Sequence, residues 1–323
     1  MKICIIGHFS GGIQEGVRNV SREIADRLQN EGYEVKKFDN SISLPLREIR
    51  KFQPEIIHYI LSPTISGLIF AKVTSFFCPK SKVIISAIHP SVPRLFFLRY
   101  LRPDLILVQS TESESLFKLL GYKTAFLPNG VDIEKFRPYD ENLKKEIRKK
   151  MNISTNEFII LHMASLTKER NLSVLAKIQR QGECKVLIIG RENEKFDPNV
   201  THELGSSGCN ILIKNFENIE EIYNMADCYV FPTIDKKGCI EIPLSVLEAM
   251  SCNLPIITTR FGALPRLFNE GGGFFYIDNE QEIARYIEMI RNRNIIIDTR
   301  QKVLSVSWSC ILKKLFEYYD KLL

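Results

Sequence analysis

The sequence predicts an α/β protein with two Rossmann-like, doubly wound domains that face each other across a cleft. Short apolar runs alternate with amphipathic helical segments along the chain. The charged segment 137–152 interrupts this alternation once, and the series then starts again. Residues 241–259 read as a helix followed directly by a β-branched strand. Alternating strands and helices form parallel sheets with helices on both faces, so two such series indicate two domains.

The first series opens with residues 2–9, KICIIGHF, an apolar run that turns polar at its end as a buried strand does. A glycine-rich loop and apolar residues at helical spacing follow over 11–28, and 33–38 is a second strand. This order predicts a right-handed βαβ unit. Similar apolar runs recur at EIIHYI (55–60), KVIISAIHP (82–90), LILVQS (105–110) and TAFLPNG (124–130).

The second series ends in the most informative stretch of the chain. Its strands and helices are predicted at 158–165, 171–180, 184–192, 210–216, 218–226 and 228–233. Pro243 suits a first helical turn, where a missing N–H costs nothing, and Leu244, Leu247 and Met250 mark one apolar stripe. Residues 255–259, PIITT, then form a buried strand. A helix N-terminus beside strand ends favours negative charge, which predicts a phosphate site.

Composition narrows the classes of function. The chain has 323 residues, of which 45% are hydrophobic and 25% charged, as expected of a globular protein with two domains. Its eight cysteines are scattered without metal-ligand spacing, which fits a reducing compartment. No leader and no apolar run near the ~20 residues that span a bilayer can be recognised, which predicts a cytoplasmic protein. The net charge of +6 suits phosphate-bearing ligands or an anionic membrane, while the scattered basic residues predict no nucleic-acid partner.

Five segments resemble one known family. LPNGVDIEKFRP at 127–138 resembles the interdomain signature of the GT-B glycosyltransferases, in particular glycosyltransferase family 4. The other four are similar to that family's first loop and helix, its strand before the donor-site helix, that helix itself and its closing helix. They are EGVRNVSREIADRLQNEGYEV (15–35), ADCYVFPT (226–233), IPLSVLEAMSCNLPIITT (242–259) and VSWSCILKKL (306–315).

This resemblance covers essentially the whole chain and implies a retaining, hexosyltransferase-like enzyme. Such an enzyme moves a sugar from a nucleotide-sugar co-substrate to an acceptor hydroxyl, with no other cofactor. The implied division is an acceptor domain at 1–140, a donor domain at 141–303 and a C-terminal helix at 304–323 that returns to the first domain. Within the last segment, Ile311, Leu315, Tyr318 and Leu322 are predicted to lie on one side of the helix.

The resemblance also implies donor-binding residues. Glu248 is expected to hydrogen-bond the ribose hydroxyls, since a carboxylate offers two acceptor oxygens to a vicinal diol; the alternative is a solvated helix residue. The backbone of Pro243, Leu244 and Ser245 is expected near the phosphates. Gly12 and Gly16, in the first glycine-rich loop, are expected to let the backbone approach those phosphates, although such loops also occur in folds that bind nothing there.

The chain departs from the family pattern at several positions. The family has two glutamates eight positions apart here, but position 240 is Ile, so Glu241 is proposed as the catalytic substitute. The family's basic pair falls on Ser165 and Arg170; Arg170 is expected to bind phosphate oxygens, with Lys168 replacing the missing Arg.

A third departure puts Arg266 where the family has an acid, which would add positive charge to the site. His89 is expected near the point of sugar transfer, or else as a histidine that caps its strand; His58 and His162 are expected to be core residues. Without an Asp-x-Asp pair the sequence predicts no metal, because a helix dipole and cationic side chains can stabilise the departing diphosphate.

The acceptor is expected to be a glycan or a lipid-linked molecule. Segments 68–82 and 93–103 mix basic with aromatic residues, a composition that suits an anionic membrane surface and would place the protein at the inner face of the membrane. Their alternative is two amphipathic helices that pack on the sheet. Two other functions stay open, a non-catalytic nucleotide-sugar-binding subunit and a nucleotide-sugar epimerase or phosphorylase on the same fold.

Overall fold

The structure is a computed structural model that describes residues 1–10, 16–39, 45–60, 64–88, 100–192 and 196–323. The chain divides into two compact units, each with one six-stranded parallel sheet. Unit 1 comprises residues 1–130, 240–242 and 309–323, and unit 2 comprises 131–239 and 243–308. The predicted fold class, α/β with two Rossmann-like sheets, is confirmed. The predicted domain boundaries at 140 and 303 stay a prediction.

Unit 1 alternates strands and helices from its first residue. The sheet order is β2-β1-β3-β4-β5-β6. Its strands are β1 (Lys2–Gly7), β2 (Glu34–Asp39), β3 (Ile56–Ile60), β4 (Lys82–Ala87), β5 (Leu105–Val108) and β6 (Thr124–Phe126). Its helices, before the chain enters unit 2, are α1 (Gly16–Asn30), α2 (Leu46–Phe52), α3 (Ile65–Phe77) and α4 (Thr111–Leu119).

Unit 2 repeats this pattern, with sheet order β12-β11-β10-β7-β8-β9. Its strands are β7 (Ile159–Met163), β8 (Lys185–Gly190), β9 (Asn210–Ile213), β10 (Cys228–Phe231), β11 (Ile256–Thr258) and β12 (Phe274–Tyr276). Its helices are α5 (Glu141–Lys150), α6 (Ser173–Gln181), α7 (Pro198–Ser206), α8 (Ile219–Met225), α9 (Leu244–Ser251), α10 (Leu264–Leu267), α11 (Gln281–Arg291) and α12 (Thr299–Val303). The final helix of the chain is α13 (Trp308–Asp320).

Each sheet has a point where its strand order reverses. In unit 1 the chain runs from β1 outward to β2 and then resumes at β3 on the other side of β1. In unit 2 it runs from β7 through β8 to β9 and resumes at β10 on the other side of β7. In unit 2 the loops that follow β7 and β10 are therefore expected to diverge and leave a crevice at the carboxyl edge of the sheet. Ligands of open α/β sheets bind at such points.

The strands are apolar because both faces of a parallel sheet are covered by helices. All residues of β3, β4 after Lys82, β5 and β10 are buried. One apolar core joins α2, α3 and α4 to the first sheet, and a separate core joins α6, α7 and α11 to the second. Each unit therefore has the separate core that an independent Rossmann-like layer needs.

The final helix packs in unit 1, as the sequence predicts. Ile311 and Leu315 are buried, but the tyrosine with no exposed surface is Tyr319, whereas the predicted Tyr318 is half-buried. Tyr318 donates instead to the carbonyl of Phe126, at 3.0 Å. The apolar stripe is therefore broader than the predicted spacing, and it places a phenol beside the buried imidazole of His58.

Both histidines that were expected in the core are fully buried. The His58 ring nitrogens lie 2.7 Å from the Tyr319 hydroxyl and 2.7 Å from the Ser86 hydroxyl. His162 on β7 donates through Nδ1 to the carbonyl of Val230 at 2.7 Å, and its Nε2 has no hydrogen-bond partner among the described residues. Burial lowers the pKa of His58 to about 3 and that of His162 to about 4, so both rings stay neutral near neutral pH.

These histidines predict loss of stability in mild acid. The unfolded chain takes up protons below about pH 6.5 while the folded chain does not, so the free energy of unfolding falls as pH drops. We expect about 1.4 kcal/mol per pH unit for each histidine between about pH 6 and its folded pKa. Denaturant unfolding at pH 7 and pH 5 measures this loss. His58→Gln is expected to reduce the pH dependence, whereas His202→Gln, at an exposed position, is the control that leaves it unchanged.

Candidate active site

The carboxyl edge of the second sheet holds the start of α9. Pro243 is the residue before the helix, with an extended ψ of 115°, so the helix begins at Leu244, one residue after the predicted start. The carbonyl of Pro243 accepts from the N–H groups of Val246 and Leu247, at 3.2 and 3.4 Å. Within the part of the chain that the structure describes, no acceptor receives the N–H of Leu244 or of Ser245. Two free N–H groups at the positive end of a helix favour an anion.

The first turn of α9 is tied to the neighbouring strands by a buried tyrosine. Tyr229 on β10 has no exposed surface, and the side chain of Ser245 lies close enough to its hydroxyl to lower the pKa of that phenol. The same hydroxyl lies 3.4 Å from the carbonyl of Met163 at the end of β7. Burial raises the pKa of Tyr229, so its hydroxyl keeps its proton. Tyr229 therefore lies between the end of β7 and the first turn of α9.

Arg170 supplies a positive charge at the same crevice. It ends the short 3₁₀ turn Lys168–Arg170 that follows β7, and its side chain is half-buried. Its positive charge lowers the pKa of both Tyr229 and His162, so the guanidinium lies within electrostatic range of these two rings. Its Nε is buried without a hydrogen-bond partner, and none of the described carboxylates forms an ion pair with it. A guanidinium with an unused donor is suited to bind phosphate oxygens.

Two other predicted residues lie in the same loop. Lys168 is 70% exposed, and its Nζ lies 3.6 Å from a carboxylate oxygen of Asp197. Ser165 is half-buried, and its carbonyl accepts from the N–H of Thr167 at 3.0 Å. The loop after β7 therefore brings Ser165, Lys168 and Arg170 together, but of the two cations Lys168 is the one with a carboxylate beside it.

Glu248 lies one turn further along α9 and has a partner that the sequence did not reveal. Its Oε2 accepts from the hydroxyl of Tyr223 on α8, at 2.5 Å. No group in the described residues hydrogen-bonds its Oε1. Burial raises the pKa of Glu248, whereas the Tyr223 hydrogen bond and the charges of Arg191 and Lys135 lower it. The carboxylate is thus held by one oxygen and open at the other.

Glu241, the predicted catalytic acid, lies within unit 1. It is 5% exposed, and its Oε1 accepts from the hydroxyls of Ser110 and Ser113, at 2.6 and 2.5 Å. Ser110 is the N-cap of α4, so the carboxylate also lies at the positive end of that helix. Its N–H donates to the carbonyl of Ile88 at 3.3 Å. These contacts show an anchoring role in unit 1, and a catalytic role stays a prediction.

Gly16 has a packing reason to be glycine. A Cβ placed on Gly16 would stand 3.0 Å from Cδ1 of Ile240, which is closer than ordinary van der Waals contact. The bulky Ile at position 240 therefore occupies the space beside the first turn of α1. The expected role of Gly16 at the donor's phosphates stays a prediction.

Three expectations concern other regions. Gly12 and His89 lie outside the described residues. Arg266 is exposed on the short helix α10. Among the described residues, no group of three or more His, Cys, Asp or Glu side chains is placed to hold a metal ion. The candidate site is therefore the crevice of unit 2, formed by Arg170, Tyr229, the start of α9 and Glu248.

The residues of this crevice lie in a segment that matches a known protein family. The family model described as "Glycosyl transferases group 1" matches residues 144–303. An uncharacterized glycosyltransferase of Methanocaldococcus jannaschii is 28% identical over 197 residues, which cover 58% of this chain and 45% of that protein. The alpha-monoglucosyldiacylglycerol synthase of Acholeplasma laidlawii is 22% identical over 202 residues, which cover 59% and 49%. The chain thus spans about half the length of these curated relatives.

A solved structure extends the likeness to the whole chain. The crystal structure of Anabaena HepE in complex with UDP superposes with a TM-score of 0.79 at 16% identity. This match covers 99% of this chain and 100% of the HepE chain. It shows that the fold is GT-B.

Substitution of Glu241 tests its anchoring role. Glu241→Ala leaves the hydroxyls of Ser110 and Ser113 without their acceptor, so we expect it to destabilise unit 1 by about 2–3 kcal/mol. Glu241→Gln keeps one acceptor oxygen and is expected to cost less. Calorimetric melting measures both, with Glu31→Ala, at an exposed position in the same unit, as the control. A Glu241→Ala protein as stable as the wild type would contradict the anchoring role.

Proposed function

The chain carries a glycosyl transferases group 1 domain at residues 144–303, and on this basis we propose that the protein is a retaining glycosyltransferase. It transfers a sugar from a nucleotide-sugar donor to an acceptor hydroxyl. One observation carries the proposal: the N–H groups of Leu244 and Ser245 and the Nε of Arg170, which have no hydrogen-bond partner among the described residues, belong to segments that follow β10 and β7 of unit 2. This arrangement suits the diphosphate of a nucleotide-sugar.

The donor is expected to lie along α9. Its ribose hydroxyls meet the open oxygen of Glu248, and its diphosphate meets the N–H groups of Leu244 and Ser245. HepE, which shares the fold, was crystallised with UDP and with UDP-glucose. A UDP-sugar is therefore the first donor to test.

Sugar transfer creates negative charge on the departing diphosphate. Arg170 and the positive end of α9 are placed to stabilise this charge before the reaction begins, so no reorganisation is needed. Lys168 is close enough in the same loop to add charge if its contact with Asp197 opens. The leaving phosphate accepts the proton of the acceptor hydroxyl on the same face of the sugar, and His89 is proposed near this point.

A specific observation favours a second candidate function, a non-catalytic subunit that binds nucleotide-sugars. Position 240 is Ile and packs beside Gly16, while Glu241 is held by two serine hydroxyls. If the lost glutamate is essential for transfer, the crevice of unit 2 binds the donor without turnover. An epimerase or phosphorylase on the same fold has no separate support in the contacts described.

The exposed surface of α3 supports a membrane-borne acceptor. None of the described helices is long and apolar enough to cross a bilayer. On α3, however, Ile69 and Phe70 are each 42% exposed and Phe76 is 81% exposed. Lys72 on the same helix and Lys80 just after it are also exposed. Apolar side chains beside lysines suit the headgroup region of an anionic bilayer.

The charge of the two units supports the same proposal. Unit 1 has 20 Lys and Arg against 14 Asp and Glu, a net charge of +6, whereas unit 2 has 24 of each and is neutral. All of the chain's net positive charge therefore belongs to the unit that carries the α3 surface. We propose that unit 1 binds peripherally to an anionic membrane and takes a lipid-linked acceptor there. The Acholeplasma relative is named for a diacylglycerol product, which agrees with this proposal.

Incubation of the purified chain with UDP-glucose and membrane lipids tests the main proposal. We expect UDP release and a glycosylated lipid, with retention of the anomeric configuration detected by nuclear magnetic resonance. UDP binding without either product would favour the non-catalytic subunit. A different sugar nucleotide as the product would indicate an epimerase.

Arg170 is expected to govern diphosphate affinity. Arg170→Gln removes a charge-assisted hydrogen bond and should raise the Kd for UDP about tenfold or more. Isothermal titration measures the change. Arg180→Gln removes the same charge from an exposed position of α6 and is expected to leave the Kd unchanged. Equal affinities of the two variants would place the diphosphate elsewhere.

Transfer is expected to need no metal ion. The helix end and Arg170 supply the charge that Mg²⁺ supplies in other transferases. Assay with excess chelator should therefore leave the rate within about twofold of the untreated enzyme. Loss of turnover that added Mg²⁺ restores would contradict this expectation.

Co-sedimentation with vesicles tests the membrane proposal. We expect binding to vesicles that contain an anionic lipid, weaker binding at high salt, and weak binding to neutral vesicles. Phe76→Ser on α3 should reduce binding severalfold, because it removes an exposed aromatic ring. Leu119→Ser removes an apolar side chain that is 80% exposed on α4 and serves as the control. If both variants bind like the wild type, α3 is not the membrane surface.

A further inference from the structure

The hydrogen bond between Tyr223 and Glu248 is the feature of the candidate site that the sequence did not reveal. We infer that Tyr223 is a positioning residue for nucleotide recognition. It holds Oε2 of Glu248 so that Oε1 meets the ribose hydroxyls of the donor. This inference rests on the proposed function, because it concerns the nucleotide part of the same donor.

The Tyr223 ring is fixed in place. It is 1% exposed, and its hydroxyl lies 2.5 Å from Oε2 of Glu248. Phe136 packs edge-on at 5.7 Å between ring centroids, and Tyr229 lies at 6.0 Å with a 45° tilt. A ring held by two aromatic neighbours cannot swing, so the direction of its O–H is set by the core of unit 2.

The hydrogen bond has one possible direction. Burial and the neighbouring charge of Glu248 raise the pKa of Tyr223 well above its usual value, so the phenol keeps its proton. The hydroxyl therefore donates, and Oε2 of Glu248 accepts. With Oε2 held, the carboxylate cannot rotate about its Cγ–Cδ bond without breaking this hydrogen bond. The direction of Oε1 is therefore narrower than free rotation would allow.

The charge state of Glu248 depends on the same contact. Burial raises the pKa of Glu248, and the bond from Tyr223 opposes this effect by stabilising the ionised form. Without the phenol the pKa would rise further, and the carboxyl would take up a proton at a higher pH. An ionised carboxylate accepts from both hydroxyls of a diol, whereas a protonated one offers less acceptor capacity.

The free oxygen of Glu248 also suits a ligand. Glu248 is half-buried, and the described residues give it one hydrogen bond and no ion pair, which leaves its Oε1 with unused acceptor capacity. Tyr223 satisfies one oxygen only. A vicinal diol that donates to Oε1 supplies the missing partner, which the ribose of a nucleotide offers and a dideoxyribose does not.

Affinities for UDP and 2′,3′-dideoxy-UDP test the inference. The wild type should bind UDP more tightly, because the analogue lacks both ribose hydroxyls. Tyr223→Phe should reduce this discrimination about fivefold, with the loss in UDP affinity and little change for the analogue. Glu248→Gln should reduce it as well, and the double variant should lose little more than Glu248→Gln alone. ADP and GDP, each with its 2′,3′-dideoxy analogue, are measured in parallel. The test then does not depend on uracil being the base that the site prefers.

A matched control separates recognition from folding. Tyr276→Phe removes another buried phenol of unit 2, whose hydroxyl donates to the carbonyl of Phe268 at 3.0 Å, and should keep full discrimination. The pH dependence of UDP affinity is a second readout: its acid limb should move to higher pH in Tyr223→Phe and disappear in Glu248→Gln.

The outcomes are distinct for the two proposals. A wild type that binds none of the nucleotides overturns the proposed function. A wild type that discriminates through Glu248, together with a Tyr223→Phe variant that discriminates equally well and keeps its pH profile, overturns the role of Tyr223 alone.

Discussion

The candidate site depends on one constraint, the reversal of strand order between β7 and β10 in the second sheet. Parallel strands end at the same edge, and two neighbours whose following loops turn in opposite directions leave that edge open. Arg170 follows the first of these strands, Tyr229 lies on the second, and α9 begins after the loop that follows the second. The chemistry of each side chain matters only because the topology brings the three together.

Within unit 2, two arginines away from the crevice have many hydrogen-bond partners, whereas the arginine of the crevice does not. Arg148 is buried, pairs with Asp227 and donates to the carbonyls of Met225, Thr155 and Glu157. Arg300 donates to backbone carbonyls that include Phe136 and Ser251, which fixes the segment after Val131. Arg170 has no such partners among the described residues. Arg148 and Arg300 stabilise the fold of unit 2, whereas the donor groups of Arg170 remain available to bind a ligand.

Much of the fold follows from local patterns, whereas much of the site does not. Apolar runs and helical spacing predict the strands and helices, because a parallel sheet needs both. The start of α9 was displaced by one residue, and Tyr319 rather than Tyr318 is the buried tyrosine of α13, since spacing alone does not fix a helix's rotation. The contacts of Glu241 with Ser110 and Ser113, and of Glu248 with Tyr223, join distant segments, so no local pattern contains them.

Because Ile240 lies so close to Gly16, the side chain that one of these positions can accept depends on the side chain at the other. A Cβ at position 16 would stand 3.0 Å from the δ-methyl of Ile240, so that side chain would have to shift by a few tenths of an ångström or be shortened. An acid at position 240 would place its carboxylate beside the first turn of α1, where the helix dipole favours negative charge. A substitution at either position therefore has to be designed with the side chain at the other in view.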